Sequence, residues 1–527
     1  MAARNALLKA CIFATGLAGI VAEYIMATLA SYLMGDSVRQ WTLTISLMLF
    51  AMGLGSRLSR RIRRHLLDAF VTVELLLSLL CASAALATYL LAAWVEPISL
   101  VIYPLAVAIG LLIGLEMPLA TRLNDYYEEL RINVSSVMEK DYYGALLGGL
   151  IFAFLALPYL GLTYTPIMLG TVNFAVAAAL FLQFRQQLNR PRLLSAAFAA
   201  VPVVLLALAY LAQPIVLFGE QSRYRDLVVY EEQTPYQKIV MTRWQDDHWL
   251  YLNGAAQFSS YDEERYHEPL VHPAMEAAAS RRRVLILGGG DGLAAREVLK
   301  HPEVESLRLV DLDPAVTRLA RTHPVLRDLN EGSLDHPKVE VVNQDAYAFL
   351  DDTSEIFDVI IIDLPDPKSV ELARLYSVEF YRLAGRHLSP GGTLVTQAAS
   401  PLFARRAFLC IYKTLGAAGF STAAMHNHVP TMGEWGWVLG VKGPPEAPGE
   451  DSDSTFGAPI RPHDALRERL LQLDFQEIPT RYLDREALHT LLYFGKDVFR
   501  GLDSIQVNRQ MSLVLKRYYQ EGDWDLY

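Results

Sequence analysis

Cysteine is scarce in this chain: Cys11, Cys81 and Cys410 are the only three in 527 residues, and no two share a paired spacing. That excludes a disulfide framework and a cysteine-based zinc site. Positive charge is also short. There are 47 Lys and Arg against 57 Asp and Glu, a net charge of −10, and no basic stripe, so nucleic acid is excluded as a partner. Apolar residues, by contrast, make up 52% of the chain, and they are unevenly spread. Long apolar runs extend from Leu7 to Gln213, whereas the sequence after Glu220 has the mixed composition of a globular domain.

An apolar run needs about 20 residues to cross a bilayer. Seven candidate spans satisfy this, at 10–34, 38–56, 69–93, 98–120, 143–163, 165–184 and 193–213. Residues 1–214 are therefore expected to form a multi-span α-helical membrane domain in the cell membrane. The first run ends in "SYLMGDSVRQ" without a small-residue cleavage site, so it is read as retained. Lys and Arg cluster in alternate connections: Arg4 and Lys9, "RLSRRIRRH", then Arg122, Arg131 and Lys140, then Arg185, Arg190 and Arg192. This places the N-terminus and those loops in the cytoplasm. Seven full crossings would then leave the rest of the chain outside. Glu23 and Glu116 lie at membrane depth, where an ionisable group marks either function or a hydrogen-bonded packing position. Gly144 and Gly148 stand four apart, a small-residue face for close helix contact.

Residues 215–275 begin differently. "KIVMTRW" and "HWLYLNG", broken by Asn-Gly and "TPY", predict an antiparallel β-strand subdomain with a hairpin, followed by a helix at "YHEPLVHPAMEAA". From 276 to 442 apolar strands alternate with amphipathic helices: "RVLILG", "SLRLVDLD", "VEVVNQDA", "FDVIIIDLPDP" and "GGTLVTQAAS". Such alternation predicts a doubly wound, Rossmann-like parallel sheet that binds its ligand at the carboxyl ends of the strands.

Those ends are acidic. Asp291 follows the first strand, Asp311 the second, Asp345 the third, and Asp363 with Asp366 the fourth. A glycine loop before a helix favours anions, but an aspartate inside "GGGDG" and a rim of carboxylates repel a pyrophosphate. Leu293 also stands where a strict GxGxxG pattern needs its third glycine. Asp311, about 20 residues beyond the loop, keeps the place of an acidic residue that binds a ribose diol. A cationic nucleoside without phosphate meets both conditions, which points to S-adenosylmethionine or its decarboxylated form. Single aspartates in such places can instead cap helices.

The motifs "TPYQKI", "LYLNGAAQFSSYDEERYHE", "LILGGGDGLAAREVLKH", "VDLD", "NQDA" and "IIIDLPDP", with a weaker "HVPTMGEWGWVLG", resemble those of spermidine synthases in order and spacing. With the apolar region attached, the chain resembles bacterial membrane-bound polyamine aminopropyltransferases. The resemblance implies a methyltransferase-like catalytic domain and aminopropyl transfer from decarboxylated S-adenosylmethionine, a co-substrate, to putrescine. It implies no tightly bound cofactor and no metal. Position by position, it makes Asp311 the ribose ligand, Asp345 and Ala346 the adenine contacts, and Asp291 the partner of the aminopropyl amine. Gln237 and His267, the latter neutral, would line the acceptor side; Asp363 would be the general base and Asp366 the polyamine anchor. Soluble relatives suggest a homodimer.

The chemistry agrees with these roles. Putrescine enters doubly protonated, so carboxylates attract it and one of them must take a proton before nitrogen can attack. The sequence departs from the family at Asn253 and Asp311, where aspartate and glutamate are usual, and at "KSVELARLYS", where a glycine-proline segment is usual. The first two are expected to keep their hydrogen bonds; the third leaves open whether the acceptor is putrescine, cadaverine, agmatine or a longer polyamine. Residues 443–461 are expected to be a flexible linker, and 462–527 a helical tail packed on the catalytic domain without assigned chemistry. A small-amine methyltransferase and a polyamine transporter or sensor using Glu23 and Glu116 are the alternative functions. Because the donor is a cytoplasmic metabolite, the catalytic domain is expected in the cytoplasm, in conflict with seven crossings.

Overall fold

The computed structural model describes residues 2–34, 37–95, 97–124, 130–443, 465–512 and 514–524. The expected linker lies outside the described residues, apart from Gly443. Two compact units divide the chain, Met1–Val228 and Val229–Tyr527.

The first unit contains α1 (Ala2–Met34), α2 (Ser37–Ser59), α3 (Leu66–Ala92), α4 (Ser99–Asn124), α5 (Leu130–Ile151), α6 (Leu157–Phe184) and α7 (Pro191–Arg223). Six helical stretches are long and apolar enough to cross a membrane, and one of them, Ile132–Gln187, is 56 residues long. That length is about twice what a bilayer needs. Within it a π-helical turn at Phe152–Ala156 joins α5 to α6, and Gly161 breaks the helix with φ 62° and ψ −171°. The chain reverses within this stretch. α5 runs parallel to α1: Gly144 abuts the Phe13 carbonyl and Gly148 the Leu17 carbonyl, so closely that a Cβ at either position would lie 2.0 or 2.6 Å from the oxygen. α6 runs antiparallel to α3, with Ser78 Oγ donating to the Gly170 carbonyl at 2.7 Å and Asp68 accepting from the Asn189 amide at 3.0 Å. α7 runs parallel to α3, from Arg190 at Asp68 to Gly219 at Tyr89. Tyr32, near the end of α1, meets Tyr89 near the end of α3 and donates to Glu220 near the end of α7 at 2.8 Å, so α1, α3, α5 and α7 point one way and α6 the other.

The second unit opens with a four-stranded sheet in the order β1-β2-β3-β4: β1 (Leu227–Gln233), β2 (Lys238–Trp244), β3 (Asp247–Leu252) and β4 (Ala255–Ser259). Asn253 and Gly254 turn the β3–β4 hairpin with φ of 50° and 77°. The Asn253 side chain accepts the Lys238 amide at 2.9 Å, so asparagine retains the hydrogen bond expected of it.

Next come α8 (Glu264–Ala277), β5 (Arg283–Gly288), α9 (Leu293–Leu299), β6 (Ser306–Asp311), α10 (Pro314–Thr322), α11 (Pro324–Leu329), β7 (Val339–Asn343), α12 (Ala346–Asp352) and β8 (Phe357–Asp363). They are followed by α13 (Val370–Ala373), α14 (Val378–Arg386), β9 (Leu388–Gln397), α15 (Arg405–Ala417), β10 (Phe420–Val429) and β11 (Gly433–Lys442). The seven-stranded sheet has the order β10-β11-β9-β8-β5-β6-β7. Strands β9, β8, β5, β6 and β7 are parallel, and β8 and β5 in the middle of the sheet are buried along nearly their whole length, as covering on both faces demands. β11 pairs antiparallel with both β9 and β10, so the sheet ends in a hairpin and is mixed where alternation predicts a purely parallel one. Short helices α16 (Ala465–Leu470), α17 (Arg485–Leu491) and α18 (Val514–Gln520) complete the unit. Leu466, Leu470, Leu488 and Leu491 join the core on one face of the sheet, and Leu502, Leu515 and Tyr519 the core on the other.

Candidate active site

The carboxyl ends of β5, β6 and β8 meet at one edge, and the loop after β5 lies between the other two. In register, Gly288 pairs with Asp363 and Asp311 with Asn343. Gly290 donates its amide to Asp311 Oδ2 at 3.1 Å, and a Cβ on Gly290 would lie 2.5 Å from that oxygen. Only glycine lets this backbone approach the carboxylate. Asp311 Oδ1 accepts from the Asp313 amide at 2.9 Å. Burial pushes the Asp311 carboxyl up to about 6, against backbone hydrogen bonds that favour its charge and with the Asp291 charge adding to the rise. Asp291 accepts the Leu293 amide at 2.8 Å, opening α9.

Asp363 is likewise pushed up to about 6 by burial. The Tyr266 hydroxyl donates to its Oδ1 at 2.7 Å, and His267 favours its charged form electrostatically. His267 is buried, and its Nδ1 donates to the Glu263 carboxylate at 3.0 Å and to the Glu263 carbonyl at 2.9 Å. Burial alone would lower its pKa; the hydrogen bond and charge of Glu263, with Asp291 and Asp363 nearby, lift it to about 9. The Glu263 carboxylate therefore favours the protonated ring, where the sequence alone suggested a neutral acceptor. Glu263 is fixed in turn by Arg296 at 2.9 Å.

Asp366 accepts from the Tyr519 hydroxyl at 2.7 Å and from Gln397 Nε2 at 3.3 Å. Its pKa is raised by burial, opposed by the Lys368 charge and these hydrogen bonds. Gln397 also donates to Tyr376 Oη at 2.6 Å and to the Leu364 carbonyl at 2.8 Å, holding the loop after β8. Among the described residues, no Lys or Arg lies within ion-pair distance of Asp291, Asp311, Asp363 or Asp366.

Asp345 differs from these four. It caps α12, accepting the Tyr347 and Ala348 amides at 3.1 Å each, and pairs with Arg374 at 2.9 Å. The helix-cap reading therefore describes this aspartate, with buried Ala346 at the first helical position beside it. Gln237 sits across from β6, where its Nε2 donates to Asp313 Oδ2 at 3.2 Å, an oxygen that also accepts from Thr234 at 2.7 Å. Tyr266, Tyr376, Gln397 and Tyr519 are site residues that sequence reasoning missed. Tyr266 stands in the "YHE" motif and Gln397 at the next strand end after β8, so both carried a signal; Tyr519 carried none.

The fold and this rim of carboxylates at the strand ends are those of a nucleoside-binding transferase domain. Residues 263–447 match the model of the spermine/spermidine synthase domain. The chain is 41% identical to polyamine aminopropyltransferase 2 of Ralstonia nicotianae, covering 99% of this chain and 98% of that one. It is 39% identical to polyamine aminopropyltransferase of Oceanobacillus iheyensis, covering 97% and 96%. A solved spermidine synthase in complex with the transition state analogue AdoDATO shares 27% identity, covers 53% of this chain and 89% of its own, and gives a TM-score of 0.44. The chain belongs to the polyamine aminopropyltransferase family, and it is an enzyme.

Proposed function

We propose that this enzyme transfers the aminopropyl group of decarboxylated S-adenosylmethionine to putrescine, giving spermidine and methylthioadenosine. The observation that carries this reading is the set of four carboxylates at one sheet edge, Asp291, Asp311, Asp363 and Asp366, none of which has a Lys or Arg within ion-pair distance among the described residues. A donor bearing a sulfonium and an ammonium, and an acceptor bearing two ammoniums, supply the missing positive charge.

In this reading Asp311 receives the ribose hydroxyls, Ala346 and the end of β7 flank the adenine, and Asp291 faces the aminopropyl ammonium. Asp345 contributes by fixing α12. Asp366 anchors the distal ammonium of putrescine. Asp363 takes a proton from the near ammonium; the freed nitrogen lone pair attacks the propyl carbon next to sulfur. The C–S bond breaks, its electron pair stays on sulfur, and a neutral thioether leaves. His267, as a cation, keeps Asp363 ionised enough to act, and Tyr266 holds its orientation. Gln237, tied to Asp313 through its amino group, keeps its amide oxygen for the acceptor side.

We also propose that the first unit is a multi-span domain of the cell membrane, that the catalytic unit is cytoplasmic, and that the enzyme is a homodimer. Large apolar side chains lie exposed on the helices, including Phe50, Leu146, Phe154 and Leu206, each more than 60% accessible. Such surfaces favour lipid over water.

Detergent-solubilised protein given putrescine with decarboxylated or intact S-adenosylmethionine tests the chemistry. Spermidine and methylthioadenosine from the decarboxylated donor alone are expected. Methylated amine with S-adenosylhomocysteine would replace this reading with a methyltransferase; nucleoside binding without turnover would favour transport or sensing.

A further inference from the structure

The C-terminal stretch lies beyond the matched domain, which ends at residue 447, yet it reaches the acceptor side of the site. The Tyr519 hydroxyl donates to Asp366 Oδ2 at 2.7 Å. Its placement is not that of a loose tail. Asn508 donates to the carbonyls of Ala373 at 2.8 Å and Tyr376 at 3.1 Å, tying the stretch to the segment that follows Asp366. Leu515, Tyr518 and Tyr519 are buried in the core beside α14 and α15. Trp524 packs against Tyr519 with tilted rings, centroids 4.7 Å apart, and donates its indole N–H to the Tyr519 carbonyl at 2.9 Å. The Asp523 amide then donates to the Phe403 carbonyl at 2.7 Å.

A carboxylate offers about four lone-pair sites. Tyr519 takes one on Oδ2 and Gln397 one on Oδ1, which fixes the group in two directions and leaves room for an ammonium. Tyr376 is fully buried and Tyr519 is 6% exposed, so protein packs closely beside this carboxylate. An acceptor whose ammonium ends at Asp366 needs no space beyond these rings. One whose chain continues past that ammonium meets aromatic rings.

We propose that Tyr519 is a positioning residue for Asp366 and a determinant of acceptor length, selecting a short diamine over a longer polyamine. This rests on the reading of Asp366 as the acceptor anchor. The test compares wild type with Tyr519→Phe and Tyr519→Leu in steady-state kinetics with putrescine and with spermidine, alongside melting temperatures. Tyr519→Phe is expected to raise the putrescine KM about tenfold, the scale of one hydrogen bond to a charged group. The donor KM and the kcat at saturating putrescine should stay within about twofold, because uniform acceptor binding is what is lost. Tyr519→Leu should also narrow the preference for putrescine over spermidine. Tyr519→Phe keeps the ring beside Trp524 and tests the hydrogen bond to Asp366 by itself; if the Leu variant unfolds, Tyr519→Met reads the length preference in its place, and an unchanged preference there overturns that part of the proposal. An unchanged putrescine KM, or a kcat loss equal for both acceptors, overturns the proposal. Wild-type protein that makes no aminopropylated product is instead the failure of the underlying reading, visible before any variant is compared.

Discussion

The residues of the rim divide by what compensates them. Asp345 has Arg374 and two backbone amides, while Asp363 has only the Tyr266 hydroxyl and the more distant charge of His267. An uncompensated, buried carboxyl gives a base that titrates close to neutrality. With the Asp363 carboxyl pushed up to about 6, kcat/KM should rise as pH increases through 6. Tyr266→Phe removes a hydrogen bond that favours the charged form, so that limb should move to higher pH. Asp363→Asn should lower kcat by roughly 100-fold or more at every pH, the scale of a lost general base. A pH–rate profile that is identical in the Phe variant removes Tyr266 from the proton-transfer machinery. His267 carries the opposite linkage. Its pKa is lifted to about 9, above the ordinary histidine range, so its stabilisation is complete below about 6.5 and is lost as pH rises through 9. Glu263→Gln withdraws the principal cause of that lift. The melting temperature of the variant should be lower near pH 7 and should fall less between pH 7 and 9.5 than that of wild type; parallel curves would show that Glu263 does not hold the proton on His267.

At the scale of elements, the loop from β5 into α9 is a fitted junction. Gly290 passes so close to Asp311 that a methyl group there must displace the carboxylate. Gly290→Ala should therefore weaken donor use while sparing the acceptor: a shift of about 1 Å in a binding group costs on the order of 100-fold in kcat/KM for the donor. An unaltered donor kcat/KM would separate Asp311 from nucleoside binding. This junction was legible in the sequence because the glycines, Asp291 and Asp311 are close in the chain and follow apolar strands. The five parallel strands were legible for the same reason. The antiparallel end of the sheet was less so: β10 and β11 form a hairpin whose burial and length resemble those of the parallel strands, and direction leaves no mark on composition. The upward pull on the His267 pKa was not readable either, since it depends on Glu263 one helical turn away and on Asp291 and Asp363, brought near by the fold. Tyr519 lay furthest from any sequence signal. It is one tyrosine among 26, 153 positions from the carboxylate it contacts, in a short helix with no motif around it.

At the scale of the whole molecule, the helical unit makes the topology conflict sharper. Because α5 and α6 run in opposite directions, and Tyr32 near the end of α1 meets Glu220 near the end of α7, the start of α1 and the end of α7 lie at opposite ends of the bundle. If all seven cross, residues before α1 and after Arg223 occupy different compartments. Two physical arguments then compete. The Lys and Arg clusters at 57–64 and 185–192 favour the cytoplasmic side for the end where α1 begins. The permanently cationic donor must be present wherever the catalytic unit lies, because a sulfonium does not cross hydrocarbon unaided. Charge bias sets an orientation preference, whereas absence of donor abolishes turnover, so the second requirement should prevail. Paired reporter fusions at the N-terminus and after residue 224 measure this directly. The expected outcome is an external signal at the first and a cytoplasmic one at the second. Cytoplasmic signals at both would mean that one rod lies along the membrane surface instead of crossing, and the catalytic unit would still face its donor. An external signal after residue 224 would overturn the cytoplasmic placement, and would require the donor to be delivered across the membrane, a role for which the buried Glu23 and Glu116 would become the first residues to substitute.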